Sequence, residues 1–409
     1  MWEHKIAINE VREIRSRVLD YFGVGAVKKI DEIMKDLSEQ GVKKVICVTG
    51  RGSYKKSGAW DYVAEAFKKH GISHVIYDKV TSNPTADSVD EAAKMARDFG
   101  AQAVVAIGGG SPIDAGKSVA ILMVYKDQDA RSLYQFKFNP TKAAPIVAIN
   151  LTHGTGTEVD RFAVVSIPEL NYKPAIAYDC IYPMYAIDDP ALMTGLSADQ
   201  TRYVSIDAIN HVIEAATTKT ASPYSIMMAK ETVRLVATYL PQALAHPADL
   251  TARYYLLYAS IIAGISFDNG LLHFTHALEH PLSGVKPELA HGLGLAILLP
   301  AVVKKIYPAC AEVLAELLAP IVDGLKGIPA EAERAARGVE RWLYAMGVTQ
   351  KLADEGFKES DIDRLTDLAM TTPSLDGLLA MAPIPADREV IREIYAESMY
   401  PLCLQDKLI

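Results

Sequence analysis

The chain has 409 residues, half of them hydrophobic and 22% charged, with a formal net charge of −8 at pH 7. This length and composition are typical of a globular enzyme with two or three domains, and the acidic balance argues against nucleic acid as the main partner. The N-terminus lacks the apolar core of a signal peptide, and apolar runs such as 254–267 are too short to span a bilayer. The scattered cysteines Cys47, Cys180, Cys310 and Cys403 indicate free thiols in a reducing cytoplasm.

Short apolar segments alternate with helix-length segments through the first half of the chain. Strands are predicted at 42–49, 73–78, 103–107 and 145–150, with helices ending at Ala66 and spanning 88–99 and 112–123 between them. Such a pattern predicts a parallel sheet with helices packed on its faces. A hairpin is expected within 162–179, and 186–189 is expected to close the sheet.

Helical periodicity replaces the strand pattern from about Ser197 onward. We therefore place a domain boundary near Asp189 and Pro190. The prediction is an α/β domain over residues 1–189 and an all-helical domain over residues 190–409.

Two glycine-rich loops follow predicted strands. Residues 108–117 read GGGSPIDAGK and open a helix, so their backbone can approach a phosphate group at the helix N-terminus. The spacing fits neither the phosphate-binding loop nor the fingerprint GxGxxG. In the second loop, NLTHGTGTEV at 150–159, glycines and hydroxyls suit phosphate or ribose, although Gly154 and Gly156 would equally shape a turn. Two such loops at the carboxyl ends of parallel strands predict a dinucleotide crevice.

Candidate metal ligands occur in two later segments. In the apolar helix predicted at 201–217, Asp207 and His211 project from one face. Four of the ten histidines lie within 271–300, and if 271–279 is helical, three of these share a face. The four are His273, His276, His280 and His291. A metal bound by Asp207, His211 and two later histidines would satisfy these buried groups, whereas the alternative is a set of hydrogen-bonded core side chains.

These motifs together resemble the iron-containing, or group III, alcohol dehydrogenase family. The family pattern GGGSxxDxxK is intact, and THGTGTEV resembles TTAGTGSEV with His153 in place of alanine. DAINHVIEA is similar to DALTHAIEA, and HALEHPLSG followed by AHG is similar to HALAHPLGG followed by PHG. The resemblance covers nearly the whole chain, in the order that the family shows.

The resemblance implies a dehydroquinate synthase-like fold, in which an N-terminal dinucleotide-binding α/β domain precedes an all-helical metal-binding domain, and a homodimer or higher homo-oligomer. It implies metal ligation by Asp207, His211, His276 and His291, and a catalytic role for His280 beside the nicotinamide. His273 has no role in the family pattern, and we expect it to support a ligand. The implied cofactor contacts are Asn83, Gly108, Gly109, Gly110, Ser111, Asp114, Thr152, Thr155 and Lys173.

The expected reaction is hydride transfer between small primary alcohols or aldehydes and a nicotinamide, with the metal polarising the substrate oxygen. The family implies Fe(II), although zinc would also suit these ligands. We expect NADP(H) in preference to NAD(H), because Gly50 stands where NAD-preferring members carry aspartate. Arg51 and Ser53 follow it and can donate to a 2′-phosphate.

Alternatives remain within and outside this fold. A dehydroquinate synthase-type lyase needs basic residues around an anionic substrate, but the segment between His276 and His291 offers only Lys286. A glycerol dehydrogenase-like enzyme would use three ligands instead of four. A zinc protease of the HExxH type is excluded, because the glutamate of HALEH is misplaced for a general base. A non-enzymatic metal-binding protein would show no turnover of NAD(P)H.

Overall fold

The computed structural model describes residues 2–6 and 8–402, so Cys403 lies outside the described residues. A six-stranded parallel sheet forms the centre of the N-terminal half. Its first strands are β1 (Leu19–Phe22), β2 (Lys44–Gly50), β3 (Ser73–Val80), β4 (Ala103–Gly108) and β5 (Ile146–Asn150). The short strands β6 (Phe162–Val164) and β7 (Ala175–Ala177) pair as a separate antiparallel hairpin, as expected. The last strand, β8 (Tyr185–Asp188), completes the sheet in the order β1-β8-β5-β4-β2-β3, and all of its neighbours pair in parallel.

Helices cover both faces of this sheet. They are α1 (Ile30–Glu39), α2 (Ser53–Lys56), α3 (Ala59–His70), α4 (Ala86–Phe99), α5 (Gly110–Val124) and α6 (Ala130–Tyr134). Two separate hydrophobic clusters fill the space between helices and sheet, one on each face. The predicted α/β layer is therefore confirmed. One predicted helix is divided into α2 and α3, because Gly58 adopts a left-handed conformation with φ of 84°.

The edge of the sheet differs from the prediction. Residues 186–189 were expected to close the sheet, but β8 lies inside it, between β1 and β5. The closing strand is β1, which has only four residues, none of them fully buried. Such a short, half-exposed edge strand carries no apolar run that sequence inspection can detect.

The second half is built from helices around one large hydrophobic cluster. They are α7 (Ala198–Ala215), α8 (Pro223–Ala245), α9 (Leu250–Gly270), α10 (Phe274–Val285), α11 (His291–Leu318), α12 (Ala332–Ala345), α13 (Ile362–Thr371), α14 (Leu375–Ala380) and α15 (Arg388–Glu397). Within the described residues, no strand follows β8. The change of secondary structure thus falls where we proposed the domain boundary.

Helices α9 and α11 are longer than the apolar runs expected from the sequence. By length and hydropathy alone both would be long enough to cross a membrane. However, 67% of the most apolar window of α9 and 72% of that of α11 are buried inside the protein. They therefore have the burial of central helices in a folded core.

Part of the N-terminal segment contacts the helical half of the protein. Trp2 packs in a cluster with Val212 of α7 and Ala263 of α9, which belong to the helical half. Further along, the backbone N–H of Arg15 donates to Asn269 Oδ1 at 2.7 Å, and Asn269 Nδ2 donates back to the Arg15 carbonyl at 2.9 Å. Trp2 and Arg15 therefore contact the helical half, and the first strand of the sheet is β1.

Candidate active site between the two halves

A cleft of about 960 Å³ separates the carboxyl ends of the sheet strands from helices α7, α10 and α11. It brings together fifteen of the residues that the sequence predicted for the site. These are Gly50, Ser53, Asn83, Gly109, Gly110, Ser111, Asp114, Thr152, Thr155, Lys173, Asp207, His211, His276, His280 and His291. Two predicted cofactor contacts do not line the cleft: Arg51 is exposed, and Gly108 is buried at the end of β4.

The three glycines after β4 are required by close packing. A Cβ atom on Gly108 would lie 2.4 Å from Cγ of Pro112, and one on Gly109 or Gly110 would lie 2.8 Å from Thr152 or 2.7 Å from Thr155. Gly108 therefore makes room for the turn into α5. Gly109 and Gly110 let the second glycine-rich loop lie against the first, so that both loops form one wall of the cleft.

Asp114 and Lys117 hold the second loop in place. The two Asp114 oxygens accept from Thr157 Oγ1 at 2.7 Å and from the Val164 backbone N–H at 2.9 Å. The fully buried Lys117 ammonium donates to Thr157 Oγ1, to the Asp160 carboxylate and to backbone carbonyls. Asp114 lines the cleft, as expected of a cofactor contact, and each of its oxygens also accepts a hydrogen bond within the protein.

His153, which replaces the small residue of the family pattern, faces away from the cleft. It is fully buried, and its Nε2 accepts from Arg253 Nη1 at 2.8 Å. Burial and the adjacent guanidinium lower the His153 pKa to about 3, so the ring is a neutral acceptor. The pair links the second loop to α9.

A group of buried carboxylates lies behind the same loop. Asn150 Nδ2 donates to Asp188 Oδ1 at 2.9 Å, whereas neither oxygen of the fully buried Glu158 has a hydrogen-bond partner within residues 2–6 and 8–402. Burial raises the pKa of Glu158 to about 8, that of Asp160 to about 7 and that of Asp20 to about 6. Burial therefore makes each of these groups easier to protonate than an exposed carboxylate.

The predicted metal ligands converge at the floor of the cleft. Asp207 Oδ1 lies 3.5 Å from both His211 Nδ1 and His276 Nε2, and none of these three buried atoms has a hydrogen-bond partner among the described residues. Ligand atoms of Asp207, His276 and His291 all lie within 4.8 Å of one another. One carboxylate and several imidazoles, orphaned and aimed at a common point, fit a divalent transition metal.

Glu214, which the sequence did not single out, orients this cluster. Its Oε1 accepts the backbone N–H groups of His273 at 3.0 Å and Thr275 at 2.8 Å, and its Oε2 bonds to His276 Nδ1. Burial alone would raise the Glu214 pKa, but His276 and these donors outweigh it and lower the pKa to about 2. With Nδ1 engaged, Nε2 of His276 is left to face Asp207.

His273 does not share a helical face with His276, contrary to our expectation. Helix α10 begins only at Phe274, and His273 Nδ1 accepts the Phe274 backbone N–H at 2.6 Å as a cap. Its Nε2 bonds to Thr217 Oγ1 at 2.9 Å. His273 therefore supports the start of the helix that carries His276.

A second carboxylate stands beside the remaining predicted ligand. Glu279 of α10 is fully buried and bonds to His291 Nδ1, while Lys173 Nζ lies 3.2 Å from the same carboxylate oxygen. Lys173, expected at the cofactor, thus also reaches the metal cluster. Burial opposes ionisation of Glu279, but His291 and Lys173 outweigh it and lower its pKa.

His280 lines the cleft beside the cluster without belonging to its centre. It is buried, and no residue in the described part of the chain forms a hydrogen bond with its Nδ1. Burial and the neighbouring Lys173 ammonium hold the His280 pKa well below its usual value, so the ring is neutral. Such a ring can orient a substrate or accept a proton.

Comparisons with known proteins agree with this geometry. Residues 20–190 match the family model "Iron-containing alcohol dehydrogenase", and residues 201–399 match "Fe-containing alcohol dehydrogenase family, C-terminal". The chain is 65% identical to a long-chain primary alcohol dehydrogenase of Thermoanaerobacter ethanolicus, over 97% of this chain and all of that one. It is 33% identical to a 1,3-propanediol dehydrogenase of Citrobacter freundii, over 93% and 97%. The structure of an NADH-dependent butanol dehydrogenase A from Thermotoga maritima superposes with a TM-score of 0.86 at 29% identity, over 96% and 99%.

Proposed function

The chain belongs to the iron-containing alcohol dehydrogenase family, and we propose that it oxidises primary alcohols and reduces the matching aldehydes with NADP(H). Family membership makes it an oxidoreductase that uses an iron ion and a nicotinamide cofactor. The observation that carries the proposal is the convergence of unpartnered atoms of Asp207, His211 and His276 at the floor of a cleft whose opposite wall is built from two glycine-rich loops.

The proposed role of each residue follows from its position in the cleft. Asp207, His211, His276 and His291 would hold Fe(II), or zinc in its place, and the bound metal would supply Lewis acidity at the substrate oxygen. Thr152, Thr155 and Ser111 on the loop wall offer hydroxyl groups to the cofactor. During oxidation the alcohol gives a hydride to the nicotinamide and a proton to an acceptor. The free Nδ1 of His280 is suited to receive or relay that proton.

The preference for NADP(H) rests on the end of β2. Gly50 and Ser53 line the cleft, and no acidic side chain stands at position 50 to repel a 2′-phosphate. Arg51, next to Gly50 in the chain, is exposed, and Ser53 offers a hydroxyl. The butanol dehydrogenase named above has the same fold and is NADH-dependent. The fold therefore does not determine which cofactor is used, and the proposal depends on the residues at the end of β2.

The substrate side of the cleft is apolar. Phe267 stacks on His211 with ring centroids 4.5 Å apart, and further apolar side chains line the same cavity. These are Leu271, Leu272, Leu378 and Met381. Each buried methylene of an alcohol contributes about 0.8 kcal/mol. We therefore propose that the range of substrates extends from small primary alcohols to longer aliphatic ones, the class named for the Thermoanaerobacter relative.

Three further properties complete the proposal. The described cysteines Cys47, Cys180 and Cys310 are free, which favours a reducing cytoplasm. We also propose a homodimer or higher homo-oligomer on family grounds. The lyase and non-enzymatic alternatives are set aside, because both matching family models are those of alcohol dehydrogenases.

The test is a comparison of metals and substrates with anaerobically purified protein. After reconstitution with Fe(II) or zinc, kcat/KM is measured for primary alcohols from ethanol to octanol with each nicotinamide cofactor. We expect turnover that depends on Fe(II), is lost in air, and rises with chain length. Absence of NAD(P)H turnover with every alcohol and aldehyde would refute the proposal, and full, air-stable activity with zinc would refute the iron assignment.

A further inference from the structure

We propose that Glu279 is a positioning residue for His291, and that its carboxylate strengthens metal binding at the cluster of Asp207, His211, His276 and His291. This inference rests on the proposed function, because it assumes that a metal binds there. Glu279 occupies a position that is alanine in the family pattern HALAHPLGG, so the pattern itself assigns this glutamate no role.

Both oxygens of the Glu279 carboxylate have defined partners. Oε2 bonds to His291 Nδ1 and lies 3.2 Å from Lys173 Nζ, while Oε1 accepts the hydroxyl of Ser283, one turn later in α10. Ser283 stands where the family pattern has glycine. The two departures from HALAHPLGG therefore contact each other, and together they form one hydrogen-bonded unit.

The neighbouring helix leaves space for this unit. A Cβ atom on Gly294 of α11 would lie 2.8 Å from Cγ of Glu279. Glycine at 294 thus allows the glutamate side chain to pass between α10 and α11 and to reach His291 at the start of α11. The carboxylate is fully buried, so its contacts form away from competing water.

The bond between Glu279 and His291 Nδ1 determines how His291 can bind a metal. An imidazole that donates from Nδ1 to a carboxylate presents Nε2 with its lone pair to a metal, in a fixed ring orientation and with increased basicity. Glu214 makes the same contact with His276 Nδ1. Two histidines of the cluster are thus each backed by a buried carboxylate, one from α7 and one from α10.

Glu279 could instead be a ligand, since ligand atoms of Glu279, His280 and His291 also lie within 4.8 Å of one another. The contacts argue for positioning. The Lys173 ammonium already supplies a positive charge beside Oε2, and the Ser283 hydroxyl occupies Oε1. A metal ion at this second group would have to displace both, and it would lie against the lysine charge.

The inference is tested on cofactor-free protein by metal binding, with Co(II) and zinc as probes in competition with a chelator. The variants are Glu279→Ala and Glu279→Gln, with Asp207→Ala as the control that removes a predicted ligand. Glutamine keeps an acceptor for His291 but removes the charge, and it preserves the side-chain volume if alanine disturbs folding. Thermal unfolding of the metal-free variants checks that each is folded.

We expect Glu279→Ala to weaken metal binding by about 10- to 100-fold and to change the Co(II) absorption spectrum, with Glu279→Gln intermediate. Affinity and spectrum within twofold of wild type would show that Glu279 only fills space, and would overturn the inference. A complete loss of metal equal to that of Asp207→Ala would make Glu279 a ligand, and would overturn it as well. If Asp207→Ala bound metal as wild type does, the proposed metal site itself would fail, a result that does not depend on either Glu279 variant.

Discussion

Gly156 of the second glycine-rich loop and Gly264 of α9 touch through their backbones. A Cβ atom on Gly156 would lie 2.4 Å from Cα of Gly264, and one on Gly264 would lie 2.6 Å from the Gly156 carbonyl oxygen. Gly156 also has a left-handed φ of 64°. The loop that lines the cofactor side of the cleft is thus seated directly on a central helix of the other half.

Gly264→Ala should therefore displace this loop. Alanine favours a helix by about 1 kcal/mol over glycine, but crowding of a packed site costs about 1–3 kcal/mol, and the loop has little room to yield. We expect a lower Tm and a higher KM for the cofactor. Gly377→Ala in α14, where an added Cβ meets nothing within 4 Å, is the stability control and should raise Tm. A Gly264→Ala enzyme with wild-type Tm and cofactor KM would contradict this account of the contact.

Asp207→Ala and His276→Ala should each remove the metal and abolish turnover, because each deletes one of the converging ligand atoms. Cofactor binding should survive, since the loops that line the other wall of the cleft are unchanged. Metal content by elemental analysis and cofactor binding by fluorescence titration check the two halves of this prediction. Stoichiometric metal with a near-normal rate in either variant would refute the ligand assignment.

His280→Ala should keep its metal and lose rate. The His280 side chain lines the cleft with a free Nδ1. The predicted ligand Asp207 faces His211 and His276, each at 3.5 Å, so His280 is not needed to hold the metal. General acid–base groups of this kind contribute about 10²- to 10⁴-fold to the rate, which sets the expected fall in kcat. Loss of metal from this variant would mean that His280 is a ligand.

Gly50→Asp should move the cofactor preference toward NAD(H), because a carboxylate at this end of β2 repels a 2′-phosphate and can accept from ribose hydroxyls. The new Cβ would lie 3.3 Å from the Val80 carbonyl oxygen, so the strand edge must shift by a few tenths of an ångström. Gly50→Ala makes the same contact without the charge and separates crowding from electrostatics. Measured kcat/KM for the wild type that is equal or better with NAD(H) would defeat the proposed preference.

Glu158→Gln should change how stability depends on pH. Burial raises the folded-state pKa of Glu158 to about 8, above its unfolded value, so the native protein binds more protons than the unfolded chain between about pH 4.5 and 8. The stabilising contribution of protonated Glu158 is therefore fully present below this window and is lost as the pH rises through it. Because glutamine cannot ionise, the free energy of unfolding should fall less between pH 5 and pH 8 in the variant than in the wild type, by about 3 to 4 kcal/mol.

Denaturant unfolding of wild type and variant at the two pH values measures this effect, and exposed Glu65→Gln serves as the control. An identical pH dependence in wild type and Glu158→Gln would show that Glu158 is ionised in the folded protein.

Much of this architecture could be predicted from the sequence, for reasons that particular elements show. Strands β2, β4 and β5 are short runs of buried residues between helices, a pattern that local hydrophobicity reveals. The family resemblance drawn from four motifs is confirmed. Strand β1 was not predicted, because this short edge strand carries no apolar run. The start of α10 was not predicted either, because His273 caps the helix that it was expected to join.

In the candidate site, too, only part of the arrangement could be predicted from the sequence. The motifs identified the residues that line the cleft, but they could not show which contacts those residues make. Glu214 and His276 are 62 residues apart in the chain, and their bond exists only because α7 and α10 pack together. Glu279 was visible as a departure from the family pattern, yet its pairing with Lys173, 106 residues away, required the fold.

The course of the N-terminal segment has a mechanical consequence. Because Trp2 and Arg15 contact the helical half and β1 lies in the sheet, the chain crosses between the halves twice, once near residues 16–18 and again after β8. The Arg15–Asn269 bonds hold the first of these connections against α9. The two halves are therefore joined by two covalent tethers, which restrict their relative movement more than a single linker would.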